Sequence, residues 1–339
     1  MRLLVLGGTL FLGRHVVDAA LARGHEVTVF TRGRRPLPWR SGVDALRGDR
    51  DPRVAPGLAA LDARAWDAVA DLSGYVPRVV DASAALLAKR VARYLFVSTV
   101  SVYAHAGRPG LDEDAALAPL DDPATEDVAA HYGALKAACE AVVRDRCRAG
   151  ATIVRPGLIV GPHDPTDRFA YWPARFVHPH LLGERPARAV VPAPQGRPIQ
   201  IVDARDLAAF MLDLLERDVA GSFNACSPAG RWTFGDLVGA CAQAATAPPS
   251  PVWVDDATLL AHHVTPWTGL PLWLPASEAD ATGLMAIDAS RARRAGLATR
   301  ALAETVRDTA AWIATRSNEG AWSQVLTGVR ERLVLSAHG

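Results

Sequence analysis

Tyr132 and Lys136 stand four residues apart in the segment HYGALK (131–136), a spacing that puts both side chains on one face of a helix. A phenol titrates near 10 and is a poor base at neutral pH unless a cation stabilises the phenolate. One ammonium about 4 Å away, at an effective dielectric near 20, is worth roughly 4 kcal/mol. The spacing therefore predicts a Tyr132 phenol drawn down toward neutrality, where general acid–base catalysis is most effective. Composition gives the lysine added weight: the chain has 35 arginines and only two lysines, yet position 136 carries the ammonium. Its compact head can also donate to a ribose hydroxyl, a task that suits a planar guanidinium less well. Ser98 and Thr99 follow the apolar run Arg93–Val97, and either hydroxyl could hold a substrate oxygen against Tyr132. The chemistry implied is proton transfer at an alcohol or carbonyl oxygen. A surface tyrosine beside a solvated lysine is the alternative.

These residues need a scaffold, and the first thirty-five residues describe one. Arg2–Leu6 (RLLVL) is an apolar run that reads as a strand buried on both faces. Gly7 to Gly13 (GGTLFLG) turns the chain, and apolar positions at Leu12, Val16, Val17, Ala20 and Leu21 recur at helical spacing as far as Gly24. Glu26–Phe30 is a second buried strand. A glycine turn between a strand and a helix presents backbone N–H groups to a ligand phosphate, which assigns Gly7, Thr9, Leu10, Phe11, Leu12 and Gly13 to a dinucleotide. After the second strand come Thr31, Arg32, Arg34 and Arg35, with no acid for a ribose 2′-hydroxyl. Arginines there suit a 2′-phosphate, so NADP(H) is favoured over NAD(H). A solvated basic loop is the competing reading.

Further strands at Val43–Arg47, Trp66–Leu72, Arg93–Val97 and Ala151–Val154 alternate with helices at Val79–Arg90 and Thr125–Ala149. That alternation predicts an α/β, Rossmann-type, doubly wound parallel sheet. Ligands bind beyond the carboxyl ends of such strands, so Gly7, Thr31, Asp49, Ser73 and Thr99 should border one crevice. Residues 1–160, joined again by 196–225, read as the dinucleotide-binding domain. Residues 161–195 and 226–339 read as a smaller, discontinuous substrate domain. Ile199–Val202 and Ser222–Ala225 are expected strands, and Asp203–Arg217, Thr233–Ala244, Leu302–Arg316 and Ala321–Leu335 expected helices. In the segment that leaves the sheet, Arg168, Tyr171, Trp172 and Arg175 are candidate substrate contacts, with packing the alternative for the aromatics. Residues 179–198 read as irregular. The proline- and tryptophan-rich stretch 246–275 suits a lid packed by its own rings or a hydrophobic dimer contact.

At 339 residues the chain can bury a full core. A net charge of +1 points away from nucleic acid and anionic membranes. The four cysteines and ten histidines lack metal-ligand spacing. No leader-like segment and no apolar run near 18 residues is present, so a cytoplasmic protein with no membrane partner is expected.

The motifs together resemble the extended short-chain dehydrogenases/reductases, the group that includes nucleotide-sugar epimerases and dehydratases. GGTLFLG (7–13) is similar to that family's glycine motif, FVSTVSVY (96–103) to its serine/threonine strand and YGALK (132–136) to its Tyr-x-x-x-Lys. RPGLIVGP (155–162) and IQIVDARDLA (199–208) are similar to its segments bordering the substrate domain. The resemblance implies catalysis by Thr99, Tyr132 and Lys136, with Asp49 and Arg50 near an adenine. It also puts Ser73, Gly74 and Pro156 beside the cofactor, a small molecule (a sugar or nucleotide-sugar among the options) as substrate, and a homodimer through the Tyr132 helix. Leu10 replaces the motif's middle glycine and is expected to crowd the turn. Val100-Ser101 replace the acidic pair of the family's dehydratases, which argues against dehydration. Pro156-Gly157-Leu158 lacks the asparagine with which its epimerases hold substrate phosphates. An epimerase that retains its cofactor and an NADPH-dependent carbonyl reductase that exchanges it both remain open. So does a non-catalytic dinucleotide- or RNA-binding relative, since the turn resembles a GGTRFLG branch with RNA-binding plastid members.

Overall fold

A computed structural model describes residues 1–62, 64–147, 150–278, 283–316 and 322–338. Six strands follow the expected order: β1 (Arg2–Leu6), β2 (Glu26–Thr31), β3 (Val43–Arg47), β4 (Ala68–Asp71), β5 (Arg93–Val97) and β6 (Ala151–Pro156). Gly221–Ala225 adds a seventh beside β6. The sheet runs from that strand through β6, β5, β4, β1 and β2 to β3, and every pairing is parallel. Chain order therefore reverses between β1 and β4, which opens a crevice at their carboxyl ends.

Alternation along β1 distributes the core. Leu3 and Val5 face the layer made by α1 (Phe11–Ala22) and the later helix Ala204–Glu216, with Val16, Leu207 and Met211 fully buried. Leu4 and Leu6 face the opposite layer, made by α2 (Pro77–Leu87) and α3 (Val128–Arg146), against Val80, Leu87 and Val143. Asp127 caps α3 from outside rather than sitting in its first turn, accepting from the N–H groups of Ala129 and Ala130. The last expected residue of that helix, Ala149, lies outside the described residues.

A second core gathers residues from beyond position 158, among them Phe169, Trp172, Phe176, Phe234, Trp273, Val306 and Val334. Its framework departs from the sequence reading in four places. The 179–198 stretch is not wholly irregular, because Arg188–Pro192 pairs in parallel with Ser250–Val254. The 246–275 stretch is not packed by its own rings: Trp273 is fully buried in the shared core and donates to Asp256 over 2.8 Å. Ile201–Asp203 pairs with Leu158–Val160 rather than with the main sheet. The last helix begins later than expected, at Gly328, capped by Thr327, and runs to Ala337; Ala321 lies outside the described residues. Thr233 caps the helix Phe234–Ala244, in a capping box with Asp236. All four cysteines are buried and free. Among the described residues no helix is long and apolar enough to cross a membrane.

Tyr171, Trp172 and Arg175, expected as substrate contacts, belong to this second core. They lie on α4 (Tyr171–Val177) and are buried. Trp172 donates to the Pro271 carbonyl over 3.0 Å and packs edge-on against Phe234. Arg175 pairs with the fully buried Glu331 at 3.0 Å and donates to the carbonyls of Pro186 and Arg188. None of the three lines the cleft; α4 packs instead against the helices Phe234–Ala244 and Leu302–Ile313. Glu331→Ala strands a buried guanidinium and is expected to cost about 3–5 kcal/mol. Urea unfolding measures this, and a loss below about 1 kcal/mol would mean that the pair holds nothing.

Candidate active site

A cleft of about 1130 Å³ opens at the carboxyl ends of the strands. Its phosphate end is built by the turn between β1 and α1. Gly7 takes φ 93°, and a Cβ there would come within 2.8 Å of the Ser73 Cβ; a Cβ on Gly13 would fall on the Gly7 carbonyl oxygen. Leu10 does not crowd this turn. Its backbone is extended (φ −125°, ψ 154°) and its side chain is 46% exposed, so the strain passes to Phe11 at φ 27°. Leu10 is also the N-cap of α1 and supplies no side-chain acceptor, and no acid sits in the first turn. The leading N–H groups of α1 therefore face the cleft uncapped, a geometry that receives an anion. This cradle fits a dinucleotide pyrophosphate.

At the far edge Thr31, Arg32, Arg34, Arg35 and Asp49 line the same cleft. Arg32, Arg34 and Arg35 are exposed, and no carboxylate pairs with them among the described residues. Arg50 lines the cleft as well. Its guanidinium is already committed, forked onto Asp71 at 2.6 and 2.7 Å and bonded to Ser83 at 2.7 Å, with Tyr94 donating to the same carboxylate. Arg50 thus braces the end of β4 beside Ser73, and among the described residues only its Nε–H is left without a partner. Gly74 does not line the cleft; its carbonyl faces Lys136 instead.

Thr99, Tyr132 and Lys136 all line the centre of the cleft, with Ser98 and Pro156. Helix α3 reaches them through a kink: His131 has non-helical angles (φ −126°, ψ 30°), and Gly133 presses against the Ser101 carbonyl, where a Cβ would collide. The lysine does not act on the phenol as its spacing predicts. Lys136 is 2% exposed, and its amine donates 2.6 Å bonds to the carbonyls of Gly74 and Val97. It also sits 4.2 Å from the Phe96 ring centroid. Burial brings it down to about 8. The Tyr132 phenol moves up rather than down, since enclosure in the cleft outweighs the opposing influence of the Thr99 side chain and the Arg168 cation. The reason is geometric. A buried ammonium takes the nearest acceptors, and here those are the strand-end carbonyls.

Sequence reasoning missed Tyr75, Asp164, Gln200 and Trp267, which line the cleft too. The Tyr75 ring lies 6.5 Å from that of Tyr132, and its place immediately after Ser73-Gly74 was the available signal. Trp267, at φ 65°, carries Arg168 over its ring at 5.8 Å. Arg168 is the one expected substrate contact beyond the sheet that does face the cleft.

Against known proteins, residues 3–226 match the model of the NAD dependent epimerase/dehydratase family. The chain belongs to that family. It is 29% identical over 267 residues to the chloroplast stem-loop binding protein of 41 kDa b of Arabidopsis thaliana, across 73% of this chain and 64% of that protein. It is 32% identical over 179 residues to a 2-alkyl-3-oxoalkanoate reductase of Stenotrophomonas maltophilia, across 48% of this chain and 52% of that protein. The chain therefore spans less than two thirds of the length of either curated relative. Among solved structures, the UDP-glucose 4-epimerase of Thermus thermophilus, in complex with NAD, superposes with a TM-score of 0.62 at 20% identity, over 94% of this chain and all of that one. At that identity the likeness concerns the fold.

The buried amine gives this family member a measurable signature. Between about 8 and the ordinary lysine value near 10.4, the folded chain has released a proton that the unfolded chain retains. The cost of burying the charge is thus carried in full below pH 8 and relieved above it, so stability rises with pH across that window. Relative to Lys136→Met, the unfolding free energy of the wild type is expected to grow by about 2–3 kcal/mol from pH 7 to pH 10. Urea titrations at both pH values decide this; a constant difference would mean that Lys136 is not buried as a charge.

Proposed function

We propose that this chain is a nicotinamide-dinucleotide-dependent oxidoreductase that reduces a ketone to a secondary alcohol, with Tyr132 as the proton donor and NADP(H) as the preferred cofactor. The observation that carries this reading is the meeting of Thr99, Tyr132 and Lys136 in the cleft that also holds the uncapped end of α1. In this reading residues 1–160 with 196–225 hold the cofactor, and residues 161–195 and 226–339 cover the substrate.

When bound, the nicotinamide supplies the hydride. The chain's own residues do the rest. Gly7, Thr9, Phe11, Leu12 and Gly13 cradle the pyrophosphate, and Asp49 and Ser73 border the adenosine half. Arg32, Arg34 and Arg35 bring their charge to a 2′-phosphate. Lys136 has three N–H donors, of which Gly74 and Val97 take two, and the third serves a ribose hydroxyl. Thr99 hydrogen-bonds the substrate oxygen, and Tyr132 delivers its proton there. Enclosure in the cleft keeps the Tyr132 phenol protonated at neutral pH, the form that this reading requires of a proton donor.

The likeness to a named reductase supports the same direction. An epimerase that keeps its cofactor is the second reading, favoured by the fold shared with UDP-glucose 4-epimerase. Dinucleotide absorbance in the freshly purified protein separates the two, since a reductase should release its cofactor and an epimerase retain it. Tyr132→Phe is expected to lower kcat for NADPH-linked ketone reduction by about 10²–10⁴-fold, with NADPH affinity within about twofold of the wild type. Turnover that survives the substitution removes Tyr132 from this role. Replacing Arg34 and Arg35 together by alanine is expected to weaken NADPH binding at least tenfold, and NADH binding far less; equal losses, read by fluorescence titration, would refute the 2′-phosphate assignment.

A further inference from the structure

Asp164 leaves the sheet with the loop that follows Leu158–Val160, and it is 1% exposed. One carboxylate oxygen is fully used: Oδ1 accepts from the Thr166 N–H at 2.9 Å and from the Thr166 hydroxyl at 2.7 Å. The other, Oδ2, is buried and has no hydrogen-bond partner among the described residues. The residue lines the cleft, as do Arg168 and Trp267. A buried carboxylate oxygen without a donor is costly, because burial strips its water and nothing replaces it. The strain registers in the group itself, since burial pushes its titration upward against the influence of Thr166 and Arg168.

The carboxylates with no exposure at all are not left in this way. Glu331 is bonded to Arg175, Arg185 and the Val190 N–H, Glu140 to Arg155, and Asp71 to Arg50 and Tyr94. A second buried oxygen on the same cleft is also without a partner among the described residues, the hydroxyl of Ser98. Two uncompensated oxygens line one cavity, in a chain that pairs its most deeply buried carboxylates. They point to a ligand that supplies what the protein withholds.

We propose that Asp164 is a specificity-determining residue that accepts a hydrogen bond from a donor group of the substrate, a hydroxyl or an amine, and excludes carbonyl compounds that lack one. This rests on the reading of the cleft as a ketone-reducing site. The carboxylate cannot serve an anionic part of the substrate, which falls instead to the Arg168 cation nearby. A site built to bond a donor rejects the analogue that lacks it far more strongly than an apolar pocket rejects a missing methylene, because the rejected complex leaves the buried acceptor unpaired.

The test has two arms. The first needs no substrate. Asp164→Asn keeps an oxygen for Thr166 but removes the uncompensated charge, so its melting temperature is expected at or above that of the wild type. A fall of more than about 5 °C would make Asp164 a structural residue and overturn the proposal. This arm decides the point even if the cleft reduces no ketone. The second arm compares NADPH-linked reduction of hydroxyacetone and aminoacetone with that of butanone, which has no donor. The wild type is expected to favour at least one donor-bearing ketone by tenfold or more in kcat/KM, and whichever is favoured tells hydroxyl from amine. Asp164→Ala is expected to bring the ratio to within about threefold of unity, with NADPH affinity unchanged. A ratio that persists in Asp164→Ala, or a wild type that reduces all three ketones equally well, refutes the assignment.

Discussion

One buried ammonium organises the active cleft. Lys136 comes from the first half of α3, yet its amine ends against the carbonyls of Gly74 and Val97, at the carboxyl ends of two neighbouring strands. A charge that is 2% exposed must find acceptors or lose its proton. The backbone supplies two, and in doing so pins the helix to the sheet. Gly133 completes the seating, for only a residue without a side chain lets α3 lie against the Ser101 carbonyl. Tyr132 immediately precedes those two anchors on the helix, and its place beside Thr99 is a product of both.

The sheet was legible because β1, β4 and β5 are short apolar runs closed by glycine, aspartate or serine, and parallel strands buried on both faces have little else to be. β1, β3 and β5 have the bounds read from the sequence. The second core was less legible. Its strands are two to five residues long and rich in proline, and their pairing depends on partners tens of residues away, as Arg188–Pro192 finds Ser250–Val254. Local pattern cannot report such partners. Aromatic side chains near the junction looked the same whether destined for the cleft or for the interior, and Trp172 went inside while Trp267 did not.

Within the site, residue types were readable and their electrostatics were not. The four-residue spacing of Tyr132 and Lys136 located both on the cleft, but which acceptors an ammonium reaches depends on where strand-end carbonyls lie. Arg50 makes the same point from the other side. As one of several arginines behind the strands it looked available, whereas the buried Asp71, at the end of the next strand along the chain, had already claimed it. Charges in a protein interior are assigned by three-dimensional competition, and sequence proximity is a poor guide to the winner.

The chain's other lysine, Lys89, is exposed, so apart from the chain terminus nearly all cationic charge on this surface is guanidinium. Guanidinium does not deprotonate in any aqueous condition a protein tolerates. Alkaline media that progressively discharge a lysine-rich surface therefore leave this one positively studded. Reagents that acylate amines find a nearly blank exterior, and the amine at the cleft is held by two backbone oxygens beside a phenyl ring.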